Sequence, residues 1–275
     1  MLAESGLLGG TGAAYAVAAA AHLAFARYRE WGALARWATR AAYAVHTAAL
    51  LAVVLATRRF PVYTQFEALF ALTWLLALGY LLVEALGRDR ASGTFLVPVL
   101  SFLVLMGLAS APPVPGMGVR VHLPPGVVLW HVSGMLGGYV FFVSAFVVAL
   151  MYLLLDYQLR RKVFSPLYYR LPSLETLDLW GYRFVALGFP LMTLGLLSGA
   201  LFAETLWGPH RWSLDAKVLW TVVTWAVYGG YLLLRRRHGW GGRRSAWWAV
   251  GGFVAVVLNY FVINTALTGL HRFGI

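Results

Sequence analysis

The sequence predicts an all-α, polytopic transmembrane helical bundle, and three observations carry that prediction. Hydrophobic residues make up 61% of the 275 residues and charged residues only 12%, where a soluble domain is nearer half apolar and a quarter charged. The apolar residues gather in runs near the roughly 20 residues that a helix needs to cross the hydrocarbon core. The basic residues lie in the short loops between those runs, where they act as orientation signals.

Eight spans follow in order, at residues 6–26, 41–57, 65–86, 95–111, 127–155, 180–202, 216–235 and 246–267. The first has no basic residues before it and no convincing cleavage site, so it reads as a span and not as a signal peptide. The second and fourth are short and are expected to stand nearly upright. The fifth is long and is expected to tilt or to project beyond the bilayer. Ala111-Pro112-Pro113-Val114-Pro115 and Leu123-Pro124-Pro125 stiffen the loop before it. Asp215 stands where it can cap the seventh span. No large soluble domain fits between the spans, so residues 1–275 read as a single integral membrane domain.

Sixteen of the 22 Lys and Arg fall in the loops after spans one, three, five and seven or just inside span six. The positive-inside rule assigns that side to the cytoplasm. Both termini then lie outside, as an even number of spans requires, and the expected location is the plasma membrane. The net charge of +12 meets anionic lipid headgroups and is no sign of nucleic acid. Cysteine is absent, which excludes disulfides, thiolate metal sites and thiol exchange by the chain itself. The sequence holds no phosphate-binding Gly-Lys loop, metalloprotease His-Glu motif or serine nucleophile elbow, and so no independent catalytic motif.

This orientation places His122, His131, His210 and His271 on the outer side. Between His131 and His271 lies Trp207-Gly208-Pro209-His210-Arg211-Trp212-Ser213-Leu214-Asp215-Ala216-Lys217. Imidazoles are good axial ligands for haem iron, and indole rings lie flat on a porphyrin. His131 at the start of span five and His271 after span eight are therefore candidate axial ligands for a non-covalent, b-type haem. Trp130, Trp207, Trp212, Trp220 and Phe273 are candidate cover. Arg211, Lys217 and Arg272 are candidate partners for the propionates. The same aromatic residues also suit an ordinary interfacial belt, and an interfacial histidine is often only a wetted polar residue.

Several stretches, in order, resemble the cytochrome c assembly family, which comprises the CcsA and CcmC haem-handling proteins and their HemX-type relatives. Phe60-Pro61 followed by Glu67, His131-Val132 with Tyr139, the loop from Trp207 to Trp220, the helix around Trp225–Leu232, and Asn259-Tyr260-Phe261 through Gly269-Leu270-His271-Arg272-Phe273-Gly274 each look like a family segment. Together they run from about residue 41 to the C-terminus. The resemblance implies a tryptophan-rich loop that presents haem to apocytochrome c on the outer face, with His131 and His271 as axial ligands. It also implies a second membrane assembly protein that supplies an outer domain.

The sequence departs from the family pattern in the loop. One extra residue separates Trp207 from Trp212, Leu214 replaces a Trp, Ala216 replaces a Pro and Val218 stands where a Glu is expected. Leu233 occupies the position of a CcsA histidine implicated in moving haem through the bundle. These departures fit a HemX-type relative, and the resemblance then implies a regulatory role toward a cytoplasmic haem-synthesis enzyme, glutamyl-tRNA reductase. A small-molecule transporter is a third reading; it calls for broken helices and mid-membrane polar residues, of which the sequence has few. Gly137-Gly138 and Gly229-Gly230 allow close helix packing.

His22 and His46 lie within spans one and two. They form either a possible second haem site or neutral imidazoles bonded to neighbouring helices. Glu67 is expected to bond the outer loops or balance Arg58 and Arg59. Asp156 is expected to pair beside Arg160. The cluster from Arg235 to Arg244 is expected to orient the chain and touch lipid, with docking of an acidic cytoplasmic partner as the alternative.

Overall fold

The computed structural model describes residues 2–85, 91–109, 126–207 and 215–260, with the side chains of 2–5, 65, 128–129 and 205–207 excepted. The described residues form α1 (Leu2–Arg27), α2 (Gly32–Thr57), α3 (Gln65–Ala85), α4 (Gly93–Ala109), α5 (Ser133–Arg161), α6 (Leu174–Trp207), α7 (Ala216–His238) and α8 (Arg243–Leu258). Short 3₁₀ turns join α1 to α2 and precede α6, and a π-helical turn at Val127–Val132 leads into α5. Six of these helices are long and apolar enough to cross a membrane; α4 is apolar but spans 17 residues, and α8 spans 16 within the described part. The chain is a multi-pass helical membrane protein, as its composition predicts.

Three span boundaries differ from the expectation. The second helix is not short: α2 starts at Gly32 and runs 26 residues. Arg36 and Arg40 interrupt its apolar window, yet Arg36 is only half-buried and Arg40 exposed, while Ala35, Thr39, Ala42, His46 and Ala49 are buried. α6 extends beyond 180–202 at both ends and starts after Ser173, whose hydroxyl accepts the Thr176 N–H at 3.2 Å. That cap satisfies a helix-terminal donor and lets the helix begin six residues early. α5 starts at Ser133 and runs to Arg161 instead of occupying 127–155, because the first six residues of the expected span take the wider π turn.

The chain groups into two compact units, one of residues 1–120, 158–171 and 273–275, the other of 121–157 and 172–272. In the first, α1 packs on α2 and α4. Thr11, Tyr15, Ala18 and His22 on α1 are buried, as are Ala35, Thr39, Ala42, His46 and Ala49 on α2. Both series alternate steps of four and three, the seam spacing of a coiled coil. Small residues dominate the seam. Apolar side chains gain little by leaving lipid for protein, so helices associate there through close van der Waals approach.

α2 ends on Arg58, which takes the left-handed conformation at φ 56° while its N–H bonds the Val54 carbonyl. α3 then starts with a reciprocal cap. Glu67 N–H donates to Thr64 Oγ1 at 3.1 Å, and the Glu67 carboxylate accepts the Tyr63 and Thr64 N–H groups at 2.9 and 3.3 Å. Arg59 forks onto the same carboxylate with two bonds of 2.8 Å. Glu67 thus pairs with Arg59, as one of the two sequence expectations had it.

In the second unit α6, α7 and α8 pack together with the π turn, around Phe142, Ala145, Val185, Met192, Tyr228, Tyr231 and Val256. Phe142 stacks on Tyr228 at 3.6 Å between centroids and Phe146 on Phe253 at 4.0 Å. Indole N–H groups tie the helices to one another: Trp220 to the Ala255 carbonyl at 2.7 Å, Trp225 to Thr193 Oγ1 at 2.9 Å and Trp248 to the Val227 carbonyl at 2.8 Å.

At the far end of α7, Arg235 is no free surface charge. It forks onto Asp178 of α6 at 2.9 and 2.6 Å, and the same carboxylate accepts the Gly242 N–H at 2.8 Å. Gly242 has φ +64°, which suits glycine at this turn into α8. Arg236, Arg237, Arg243 and Arg244 are exposed. Asp156 meets Arg243 at 3.9 Å.

Candidate functional site

α5 and α6 approach through glycine. A Cβ added to Gly134 would lie 2.9 Å from the Gly195 nitrogen, and one added to Gly195 would lie 2.8 Å from the Met135 nitrogen. Gly138 and Gly188 each face the other's carbonyl oxygen at 3.2 and 3.1 Å on the same measure. Glycines four residues apart on α5 therefore bring the two backbones into contact. Gly137 packs on Leu191 and Gly230 faces Trp248, both at side-chain distances, so the expected close backbone approach lies at Gly134 and Gly138.

That contact creates the environment of His131, in the π turn just before α5. Its Nδ1 lies 2.7 Å from the Gly195 carbonyl oxygen. A carbonyl only accepts, so Nδ1 carries the hydrogen and the neutral ring keeps its lone pair on Nε2. Gly199, one turn further along α6, lies against the ring: a Cβ there would fall 2.5 Å from Nδ1 and 2.7 Å from Cε1. Ser198 Oγ donates to the same Gly195 carbonyl at 3.1 Å and to that of Leu194 at 2.7 Å. An imidazole whose N–H is held by a backbone carbonyl, with its other nitrogen bare, has the outer-shell arrangement of a metal-binding histidine. π turns recur at such sites because they interrupt the regular ladder.

Asp215 takes the N-cap position of α7, as expected, and accepts the N–H groups of Lys217 and Val218 at 3.0 and 3.4 Å. The Lys217 ammonium lies within electrostatic reach of both Asp215 and His131. The structure therefore brings together His131, Lys217 and Asp215 from the predicted set. Trp130 beside them is 59% exposed. Trp220, expected as cover, directs its indole N–H to α8. The Trp207 side chain, His210, Arg211, Trp212, His271, Arg272, Phe273 and His122 lie outside the described residues. The supporting Gly195, Ser198 and Gly199 were not singled out in the sequence. Their only signal there was the small residues spaced along α6.

One turn inward a second polar cluster joins α5, α7 and α8. Asn259 Nδ2 donates to Thr221 Oγ1 at 3.1 Å, Thr221 Oγ1 donates to the Lys217 carbonyl at 2.7 Å, and the Tyr139 hydroxyl pairs with Asn259. This cluster joins Tyr139 and Asn259, two residues of the recognised segments.

His22 and His46 occupy separate rungs of the α1–α2 seam. His22 Nε2 bonds Thr39 Oγ1 at 3.0 Å, and His46 Nδ1 lies 3.3 Å from the Tyr15 hydroxyl. His46 also lies against Phe70, with ring centroids 4.0 Å apart. Both imidazoles are buried. Leu233 is 50% exposed. Among the described residues no group of three or more His, Asp or Glu side chains gathers to hold a metal ion. Haem iron needs only axial donors from the protein, and the His131 arrangement fits one of them.

The profile of the cytochrome C assembly protein family matches residues 39–271. This chain belongs to the cytochrome c assembly family. It is 32% identical over 248 aligned positions to the cytochrome c biogenesis protein CcsA of Guillardia theta, with 82% of this chain and 81% of that protein covered. It is 30% identical to CcsA of Gloeobacter violaceus, covering 83% and 82%. A shorter stretch of 105 positions is 46% identical to CcsA of Trichormus variabilis, 38% of this chain and 30% of that one. The family match includes α2 from residue 39, α3 through α8, and every candidate residue except His22, Arg272 and Phe273. The protein is thus a multi-pass membrane member of a cytochrome c biogenesis family, and that membership implies the handling of haem.

Proposed function

We propose that this protein holds a non-covalent, b-type haem at the His131 end of the second unit and presents it to apocytochrome c at the outer face of the plasma membrane. His131 and His271 are the axial ligands. Trp207 and Trp212 cover the macrocycle, Arg211, Lys217 and Arg272 take the propionates, and Asp215 fixes the loop against α7. A second membrane assembly protein supplies an outer domain. The observation that carries this reading is the 2.7 Å bond from His131 Nδ1 to the Gly195 carbonyl, which puts the ring's lone pair on Nε2. Bound haem supplies the vinyl groups to which an apocytochrome's thiols add. The chain's own part is positioning.

The test is the absorption spectrum of the full-length, detergent-purified protein, oxidised and reduced, beside His131→Ala and His271→Ala. A six-coordinate haem spectrum lost in both variants supports the reading. A wild type that stays colourless after haem is supplied overturns it. A HemX-type regulatory role is the second reading, favoured by the exposed Arg236, Arg237, Arg243 and Arg244, which suit an acidic cytoplasmic partner such as glutamyl-tRNA reductase. Charge reversal at Arg236 and Arg237 abolishes capture of that enzyme if the reading is right, and leaves capture intact if it is wrong.

A further inference from the structure

Apolar side chains gain little by leaving lipid for protein, so whatever fixes the height of one helix against the next in a membrane must be directional. In the second unit α5 meets α7 and α8 through flat ring stacks. The planes of Phe142 and Tyr228 lie 5° apart and those of Phe146 and Phe253 17° apart. Dispersion between stacked faces sets how close two helices come and has no strong preference for height. A hydrogen bond does, because it weakens steeply as its partners move out of line.

Asn259, the C-cap of α8, supplies such bonds, and its neighbours fix which way the amide faces. Thr221 Oγ1 spends its one hydrogen on the Lys217 carbonyl at 2.7 Å, so it can only accept from Asn259 Nδ2 at 3.1 Å. The Asn259 Oδ1 has no partner among the described residues, so the Tyr139 hydroxyl meets the same amide nitrogen. The side chain therefore turns its donor end to two other helices, α7 and α5, and leaves a buried carbonyl bare. A buried acceptor without a partner costs stability. An apolar side chain of the same shape would avoid that cost, so what the amide contributes is direction. A buried asparagine at a coiled-coil seam acts in the same way, setting register at the expense of stability.

We propose that Asn259 is a positioning residue for the His131 site, fixing the height of α7 against α5. Thr221 stands one turn below Lys217 and holds its carbonyl. Tyr139 stands eight residues after His131, on the helix that continues from its π turn. Asn259 thus ties the turn that carries Lys217 to the helix that carries His131. The Trp220 indole, bonded to the Ala255 carbonyl at 2.7 Å, keeps α7 against α8 one turn away. A slip of one residue between α5 and α7 would carry Lys217 about 1.5 Å along the axis, enough to take a hydrogen bond at that ammonium out of range. This role rests on the haem reading at His131. Asn259 acts in it through Lys217 and His131 and is assigned no contact of its own with haem.

The test uses the full-length protein in lipid nanodiscs. Because the chain has no cysteine, Leu197→Cys on α6, beside the seat of His131, and Leu219→Cys on α7 can be spin-labelled without side reactions; both positions are exposed. Pulsed EPR then reads the distance between them in haem-free protein. A haem titration of the unlabelled protein reads affinity and the six-coordinate fraction. Thr221→Val removes the acceptor at nearly constant shape, Thr221→Ser retains it, and Asn259→Leu removes both donors. Thr221→Val and Asn259→Leu should shift or broaden the label distance, weaken haem binding about tenfold, equal to about 1.4 kcal/mol, and turn part of the six-coordinate spectrum five-coordinate. Thr221→Ser should match the wild type in all three. If Asn259→Leu fails to fold, Thr221→Val carries the comparison. A folded Thr221→Val protein with the wild-type label distance overturns the role of Asn259 alone. So does one that loses thermal stability but binds haem with wild-type affinity and coordination, which is the result of a purely structural bond. A wild type that takes up no haem overturns the haem reading, and this role with it, whatever the labels show.

Discussion

Gly199→Ala is the sharpest perturbation of the candidate site, because it replaces one hydrogen with a methyl group at a known place. The new Cβ would fall 2.5 Å from His131 Nδ1 and 2.7 Å from Cε1. To regain an ordinary contact of roughly 3.5 Å, the ring must retreat by about 1 Å. The bond it leaves is 2.7 Å long, so that retreat carries it past hydrogen-bonding range. The lost bond costs about 1 kcal/mol net, and the overpacking costs about 1–3 kcal/mol more. Loss of an outer-shell partner lowers metal affinity about 10–100-fold, which is the change expected in a haem titration followed by absorbance. Gly251→Ala is the control: nothing lies within 4 Å of a Cβ there, and it should leave affinity unchanged. Wild-type haem affinity in a folded Gly199→Ala protein would refute the role assigned to the Gly195 carbonyl.

Three further substitutions test the supporting structure. Glu67→Ala strips two bonds from Arg59 and the cap from α3; thermal unfolding in detergent should show a loss of about 3 kcal/mol, and a loss below about 1 kcal/mol would mean the pair is spare. Asp178→Ala leaves Arg235 and the Gly242 N–H without their shared acceptor, for an expected cost of about 2 kcal/mol and faster proteolysis at the α7–α8 turn. Tyr228→Phe should go the other way: its buried hydroxyl lacks a partner among the described residues, so removing it is neutral or stabilising, and a marked loss of stability would reveal a bound water there.

The helical bundle was legible because hydropathy runs report it directly. Asp215 was legible too, since an acidic residue before an apolar run is a cap signal with a local cause. The length of α2 was not. A window average counts Arg36 and Arg40 against the membrane, while the seam from Ala35 to Ala49 shows that only one face had to be small and apolar. For Glu67 the sequence offered bonding of the outer loops or balance of Arg58 and Arg59 as alternatives, and the carboxylate serves Arg59 and the loop backbone at once. The partner of His131 had no sequence signature at all. It is a backbone carbonyl, and every residue carries one.

The two histidine-bearing seams show why that hidden partner matters. On α1 and α2 the imidazole N–H of His22 is held by a hydroxyl, and the lone pair remains inside the protein. At α5 and α6 the N–H of His131 is held by a carbonyl, and the residue stays partly exposed. Both seams are built from small residues that let helices approach in lipid, yet they leave their histidines in opposite situations. In the first the side chain that fixes the ring is itself a seam residue. In the second the backbones must come so close that a carbonyl becomes the acceptor, and only glycine at 134, 195 and 199 permits it. The same glycines thus pack the helices and fix the tautomer, so a larger side chain among them should perturb ligand binding and helix packing together. A change that separated the two effects would show that His131 is oriented by something other than this seam.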